Sequence, residues 1–173
     1  MPDDEGTAFV KAMSPAEQMS VLDIAQEGDP VLAEVARPFD LPAEAEDARR
    51  VVVQLVSTLE RVGQVHNFSK GMGLAAPQIH IGRAAAVVRT PAGETVTLLN
   101  PRICDESAGT DEQYEGCLSF FDVRGKVRPG RWPSRWSTRT SMGRSLLLLL
   151  NKGWPVWSAT RSTICVGSST RRR

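Results

Sequence analysis

Two short segments of the chain combine residue types that can do chemistry. Residues 115–119 read Glu-Gly-Cys-Leu-Ser and contain one thiol, Cys117. Residues 71–78 read Gly-Met-Gly-Leu-Ala-Ala-Pro-Gln and end in a carboxamide, Gln78. Taken alone, a single cysteine is most often a small buried hydrophobe. A glycine-rich segment is most often a turn, because glycine permits backbone torsions that other residues avoid. A thiolate, however, can also bind a metal ion or act as a nucleophile, so the two segments are best interpreted together.

Together, the two segments resemble the first two signature motifs of the peptide deformylases, G-x-G-x-A-A-x-Q and E-G-C-L-S, and both motifs are complete here. A third likeness lies near the N-terminus, where residues 28–32 read Gly-Asp-Pro-Val-Leu and are similar to a G-D-P-x-L element of that family. The resemblance covers residues 22–127. It implies an enzyme that removes the formyl group from the N-terminal formylmethionine of new bacterial polypeptides.

The resemblance also implies a metal-dependent mechanism with assigned residues. The metal is Fe²⁺ in many members, with Zn²⁺ or Ni²⁺ able to occupy the site, and it lowers the pKa of bound water from ~15.7 to about 7. By resemblance, Cys117 supplies a thiolate ligand. The Gln78 amide and the Leu118 backbone N–H hold the carbonyl oxygen as it becomes negative. Backbone groups near Met72 and Gly73 hold the N-formylmethionyl peptide in an extended form.

The chain departs from the family at its third motif, because it contains no H-E-x-x-H sequence. That motif supplies two histidine ligands from one helix face and a glutamate that handles the proton. The chain's two histidines, His66 and His80, precede Cys117 and match neither ligand position, so we expect them to be surface or turn residues. Cys117 is then the only matched ligand, which is too few for a tight site. The sequence therefore predicts a family member that is inactive, or nearly so, as written.

Two alternatives remain open at this point. One is a non-catalytic protein of the same fold that binds formyl-Met peptides without cleaving them. The other is an enzyme that uses Cys117 as a nucleophile, which requires a base within hydrogen-bond reach.

The composition changes sharply near residue 130. Residues 1–130 contain all 20 acidic residues and 12 Lys+Arg, a net charge of −8, whereas residues 131–173 contain nine basic residues and no acidic one, a net charge of +9. The second segment also contains all four tryptophans and eight serines. A basic segment can bind nucleic acid. Shifted GC-rich codons also tend to encode basic residues, so we expect no specific nucleic-acid partner.

A shifted reading frame accounts for both the odd composition and the missing motif. Synonymous codons for residues 157–167 exist that, read from the third base, encode V-G-H-E-I-D-H-L-C-G, which contains H-E-x-x-H. The same offset permits P-R-P-L-A-I-E-V-E-H-T-D-I from residues 128–141 and E-Q-G-M-A-R-L from residues 150–156. The shift would fall near residues 126–128. The sequence does not distinguish a sequencing error from a real lesion.

The elements that must position these residues follow from periodicity and turn signals. Residues 44–65 predict a helix, because apolar residues recur at spacings of three and four. Residues 84–89 and 95–99 predict a hairpin around a Pro-Ala-Gly turn. Residues 100–104 predict an edge strand, because proline is confined to edges and ends, and residues 105–113 a polar loop. The expected fold class is α+β: short antiparallel strands packed around a core helix, as in peptide deformylases.

Length and composition predict a single globular domain of 173 residues, of which 41% are apolar. We expect a mobile lead-in over residues 1–17, the deformylase-like domain over 18–127 and a poorly structured tail over 128–173. The leucine run at 146–150 is too short to span a bilayer, and the acidic N-terminus lacks a secretory pattern. Three cysteines fit a reducing compartment. The prediction is a cytoplasmic protein that meets nascent chains at the ribosome and has no membrane partner.

Overall fold

The computed structural model describes residues 13–67, 71–90, 92–111, 114–115, 117–120, 125–126 and 130–149. These residues form three helices and seven strands. The helices are α1 (Pro15–Val21), α2 (Pro30–Ala33) and α3 (Ala45–Val65). The strands are β1 (Met72–Ala75), β2 (Ala85–Arg89), β3 (Thr95–Asp111), β4 (Tyr114–Glu115), β5 (Gly125–Lys126), β6 (Gly130–Arg139) and β7 (Ser145–Leu149). Two short 3₁₀ helices, Ala76–Ile79 and Leu118–Phe120, follow β1 and β4.

Helix α3 confirms the prediction for residues 44–65 and forms one side of the core. Its fully buried face includes Leu55 and Leu59, which pack with Leu74 of β1 and Val87 of β2 in the main apolar cluster. The acidic residues of its first turn suit the positive N-terminal end of the helix dipole. Helix α3 therefore packs against the part of the sheet that contains the glycine-rich segment.

Each of the two short N-terminal helices begins with a proline that directly follows the capping residue. Ser14 caps α1 through a hydrogen bond from the Glu17 N–H, and Asp29 caps α2 through one from the Val31 N–H. Proline is tolerated at the first helical position, since its missing N–H would have no partner there. Helix α1 begins inside the expected lead-in of residues 1–17, and residues 1–12 lie outside the described residues.

The main sheet has five antiparallel strands in the order β1-β2-β3-β6-β7, and β4 pairs with β5 separately. The predicted hairpin is confirmed, because β2 and β3 pair from Ala85 opposite Leu99 to Arg89 opposite Thr95. Helices packed on a mainly antiparallel sheet confirm the α+β prediction.

The predictions for residues 100–111 are wrong, and residues 112–113 of the predicted loop lie outside the described residues. Residues 100–104 are not an edge strand, and 105–111 are not a loop, because β3 runs on to Asp111 between β2 and β6. The physical reason lies at Asn100, whose φ is 47°, and at the adjoining register shift between Leu99 and Arg102. A bulge tolerates a proline without loss of a ladder hydrogen bond. Pro101 can therefore occupy an interior strand.

Part of the tail that the sequence predicts to be poorly structured lies within the described residues. Residues 130–149 contain β6 and β7, which continue the main sheet, whereas residues 150–173 lie outside the described residues. The buried Thr138 hydroxyl bonds both backbone groups of Leu99, at 2.8 and 3.0 Å. These strands do not test the reading frame of the tail, which stays a prediction. Among the described residues, no helix combines the length and apolar character needed to cross a membrane.

Candidate functional site

The glycine-rich segment supplies a strand, a turn and a buried amide. Strand β1 passes directly into the 3₁₀ helix Ala76–Ile79, in which Gln78 is 6% exposed. The side-chain oxygen of Gln78 accepts a hydrogen bond from the Ala75 N–H at 3.0 Å. That bond turns the Gln78 amide nitrogen toward the second segment. Small side chains at positions 75 and 76 suit this close path, since both residues are fully buried.

The two predicted segments meet, although 39 residues separate Gln78 from Cys117. Gln78 Nε2 donates to the Ser119 hydroxyl at 3.1 Å and lies 3.7 Å from the Cys117 sulfur. Leu118 and Ser119 are buried at the start of the second 3₁₀ helix, and Cys117 is partly buried just before it. The structure thus brings together the thiol, the amide and the turn that contains the Leu118 N–H.

Burial controls the state of the thiol. Burial raises the pKa of the Cys117 thiol above its usual value, and hydrogen bonds involving Ser119 and the backbone of Phe120 oppose this with a smaller effect. The neutral thiol is therefore favoured when no cation lies beside it. A bound metal ion would reverse that preference, because a coordinating thiol is deprotonated.

Strand β1 presents an open backbone edge beside the same amide. Its only partner among the described strands is β2, with Ala75 opposite Ala86. Ala75 donates its N–H to Gln78 rather than to β2. Because antiparallel pairs alternate between bonded and non-bonded positions, Gly73 also directs its backbone groups away from β2. Met72 is buried and, by the same alternation, directs its backbone groups toward β2, while Gly73 is partly exposed. Of the two predicted peptide-binding residues, Gly73 therefore faces the open edge of β1, whereas Met72 does not.

Residues 24–27 form a strap across the site that the sequence motifs do not reveal. The Ala25 N–H donates to the Gln78 carbonyl at 2.9 Å, and the Glu27 N–H donates to the Ser119 carbonyl at 3.0 Å. Gln26 Nε2 donates to the Leu118 carbonyl at 3.3 Å. The strap therefore bonds both motif segments. No motif spacing predicts it, because its bonds run mainly from backbone N–H groups that every sequence carries.

The histidines do not join this cluster. His80 adopts a left-handed turn with φ of 58°, is 44% exposed in its side chain and lies between Asp23 and Asp29, at 3.6 and 3.3 Å. His66 ends α3 as its C-cap. This confirms the prediction that they are surface or turn residues. Within the described ranges, no three His, Cys, Asp or Glu side chains are grouped to hold a metal ion. The described residues, with Cys117 as the one candidate ligand, do not fit the implied Fe²⁺, Zn²⁺ or Ni²⁺ site.

Comparison with known proteins gives a consistent family assignment. A family model described as polypeptide deformylase matches residues 21–132. The chain is 34% identical over 109 residues to a peptide deformylase of Carboxydothermus hydrogenoformans, which covers 63% of this chain and 64% of that protein. It is 37% identical over 109 residues to a peptide deformylase of Desulforudis audaxviator, covering 63% and 65%. The chain therefore spans just under two thirds of the length of these relatives.

Solved structures share the fold. A class I type b peptide deformylase from Acinetobacter baumannii is 25% identical with a TM-score of 0.66, and the match covers 84% of this chain and 93% of that chain. Peptide deformylase 1B from Arabidopsis thaliana is 22% identical with a TM-score of 0.65, covering 82% and 76%. The structural match extends further along this chain than the sequence match, which ends at residue 132.

Proposed function

The chain belongs to the polypeptide deformylase family, a family of hydrolases, and from that premise we propose its activity and its defect. Its substrate class is the N-formylmethionyl end of new polypeptides. Its reaction class is metal-dependent amide hydrolysis, and the chain as written is inactive or nearly so. The observation that carries this proposal is the meeting of Gln78 with Cys117 and Ser119 in a region where the described residues offer no further metal ligand.

The carbonyl-binding half of the site supports formyl recognition. Gln78 Nε2 carries two N–H groups, and its contact to the Cys117 sulfur at 3.7 Å is longer than its hydrogen bond to the Ser119 hydroxyl at 3.1 Å. A formyl oxygen entering beside the thiol would replace that contact. The Leu118 N–H would be the second donor. Two donors aimed at the oxygen that becomes negative stabilise the transition state, and losing one such donor costs on the order of 10²–10³ in rate.

The open edge of β1 supports binding of the peptide in extended form. An extended chain can add to an exposed strand edge through main-chain hydrogen bonds. Gly73 supplies an outward-facing N–H and carbonyl, and it carries no side chain to obstruct the approach. Met72 places the next backbone groups in the opposite direction, toward β2. Peptide length beyond methionine would then be read chiefly through its backbone, as suits an enzyme for many nascent chains.

The described residues lack the group of metal ligands that hydrolysis would require. The family resemblance implies Fe²⁺, or Zn²⁺ or Ni²⁺ in its place, with Cys117 as a thiolate ligand. The described residues do not fit such a site. A cysteine nucleophile is the less favoured rival, since burial raises the pKa of Cys117 and His80 lies beside the carboxylates of Asp23 and Asp29.

A shifted reading frame after residues 126–128 is our explanation for the missing ligands. The family match ends at residue 132, close to the expected shift, and the segment beyond it contains no acidic residue. In the offset frame this tail would encode H-E-x-x-H. Sequencing the gene across codons 120 to 173 tests this directly. An extra or missing base relative to the family frame is expected, whereas an unshifted gene would refute the explanation.

A second candidate, a non-catalytic formyl-peptide binder, is favoured by one observation: the donors and the strand edge are formed without any metal ligand from the tail. Equilibrium binding to the metal-free chain tests it, with formyl-Met-Ala-Ser against Met-Ala-Ser as the matched control. Preferential binding of the formylated peptide is expected. Equal or undetectable binding would reject recognition of the formyl group by this site.

The proposed setting follows from the substrate. Formylated N-termini emerge with nascent chains, so we place the protein in the cytoplasm beside ribosomes, with N-formylmethionyl peptides as partners. Neither a membrane nor a specific nucleic acid is part of the proposal. Fractionation of cells that express the tagged full chain, with and without nascent chains released by puromycin, measures the ribosome association.

A further inference from the structure

In the turn that contains the Leu118 N–H, the backbone carbonyls of residues 117, 118 and 119 each accept a hydrogen bond. The Cys117 carbonyl accepts from the Phe120 N–H at 3.0 Å, within the turn. The Ser119 carbonyl accepts from the Glu27 N–H at 3.0 Å. The Leu118 carbonyl between them accepts from Gln26 Nε2 at 3.3 Å. Of these three bonds, only the bond to the Leu118 carbonyl comes from a side chain. A substitution of Gln26 can therefore remove it while the backbone donors stay.

Gln26 also forms a hydrogen bond within the strap. Its amide nitrogen also donates to the Ile24 carbonyl at 2.9 Å. Its two N–H groups can therefore serve two carbonyls, one on the strap and one on the turn. The strap is anchored in turn, because Ile24 and Ala25 are each 2% exposed and the Ala25 N–H bonds the Gln78 carbonyl at 2.9 Å. Gln26 thus connects the segment behind Gln78 to the turn that contains Leu118.

We infer that Gln26 is a positioning residue, which fixes the Cys117–Ser119 turn so that the Leu118 N–H and the Gln78 amide point at one carbonyl oxygen. This inference rests on the proposed function, since it assigns Gln26 a role in formyl recognition. The two donors come from segments 39 residues apart, and the strap bonds and the Gln78 contacts connect these segments. A looser turn would misdirect one donor while β1 still held the peptide backbone.

The test compares three variants of the full chain. Gln26→Leu removes the donor at similar length. Gln26→Glu keeps the shape but places carboxylate oxygens against the Ile24 and Leu118 carbonyls. The matched control is Gln18→Leu, because Gln18 also donates from its amide to a backbone carbonyl, that of Met13 at 2.9 Å, outside the turn. Each variant is titrated with formyl-Met-Ala-Ser and with Met-Ala-Ser.

Loss of one hydrogen bond to the turn is expected to weaken binding of the formylated peptide by about five-fold. Both Gln26 variants should show this loss, and Gln18→Leu should not. Affinity for the unformylated peptide should stay the same, because it has no formyl oxygen to meet the Leu118 N–H. An equal loss for both peptides, or no loss for either, would overturn the positioning role and leave Gln26 as a structural contact.

A second measurement decides the inference even if the chain binds neither peptide, an outcome that would reject the proposed formyl recognition instead. The carbonyl carbon of Leu118, labelled with ¹³C in the free chain, reports its hydrogen bond in the NMR spectrum. An upfield movement of this resonance in Gln26→Leu, absent in Gln18→Leu, is expected. An unmoved resonance in Gln26→Leu would show that Gln26 does not hold the turn, and would overturn the inference.

Discussion

At the scale of residues, Gln78 is the side chain on which the site depends. It is buried, it accepts from the Ala75 N–H and it donates to the Ser119 hydroxyl, so both ends of its amide are used before any substrate arrives. A glutamine tied at both ends cannot rotate its donor away from the carbonyl position. Catalytic groups that need no reorganisation at the moment of reaction are the effective ones.

Truncation of Gln78 should lower stability as well as formyl-peptide binding. Gln78→Ala leaves the Ala75 N–H and the Ser119 hydroxyl without these partners in a buried place, and each such group costs about 1–3 kcal/mol. Urea unfolding measures the free energy of unfolding. Gln54→Ala on the exposed face of α3 is the control, expected within about 0.5 kcal/mol of the parent. Equal stability of the two variants would contradict the buried network.

Alkylation of Cys117 should be slow at neutral pH and should accelerate as pH rises. Burial raises the pKa of the thiol, so less of the reactive thiolate is present at pH 7 than for an exposed cysteine. Ser119→Ala should slow the reaction further, since a hydrogen bond that favours the thiolate is lost. Iodoacetamide rates at Cys117, followed by peptide mass spectrometry from pH 6 to 10, provide the measurement. A rate plateau already reached below pH 8 would contradict this.

At the scale of elements, α3 and the first two strands form the support of the site. The helix buries Leu55 and Leu59 completely against β1 and β2, and β1 leads straight into the turn that contains Gln78. A change in how this helix packs is therefore transmitted to the strand edge that would bind the peptide. The strap of residues 24–27 fixes the second motif to the same body.

Truncation at the centre of α3 should destabilise the whole domain. Leu55→Ala removes a fully buried side chain, for which about 2–5 kcal/mol is expected. Val53→Ala on the same helix is the control, because Val53 is 66% exposed and its loss should cost under about 0.5 kcal/mol. Thermal or urea unfolding measures both. A Leu55→Ala cost close to that of Val53→Ala would show that α3 does not form the core.

The sequence predicted the long helix α3 and the hairpin better than the two short helices and the middle of the sheet. Periodicity located α3, but not its exact buried face, which includes the polar Thr58, whereas Val52 and Val56 are only partly buried. The polar character of residues 105–111 predicted a loop, yet their backbone pairs with β6. Strand pairing depends on a partner distant in sequence, so local composition does not reveal it.

The sequence likewise predicted only part of the candidate site. The motifs predicted that Gln78, Cys117 and Leu118 belong together, and the structure brings these segments into contact. The strap was not predictable, because Ala25 and Glu27 act through backbone N–H groups and Gln26 through a bond 92 residues away. Long-range backbone contacts leave no spacing pattern in a single sequence.

At the scale of the whole molecule, the two halves of the chain differ in what they carry. The part that the family model matches, residues 21–132, contains the strand edge proposed to bind the peptide and the two proposed donors. In this reading frame the basic tail, residues 131–173, contains no histidine. We therefore propose that residues 21–132 bind the peptide and that the basic tail is responsible for the loss of hydrolysis.

Formate release from formyl-Met-Ala-Ser tests that division most directly. The full chain as written and a matched chain whose codons from 128 onward are read in the offset frame are each purified anaerobically with Fe²⁺ and assayed side by side. The account predicts no release above the buffer rate from the first chain, and turnover in the ordinary enzyme range of roughly 1–10³ s⁻¹ from the second. Turnover in that range by the chain as written, with a stoichiometric bound metal, would contradict it.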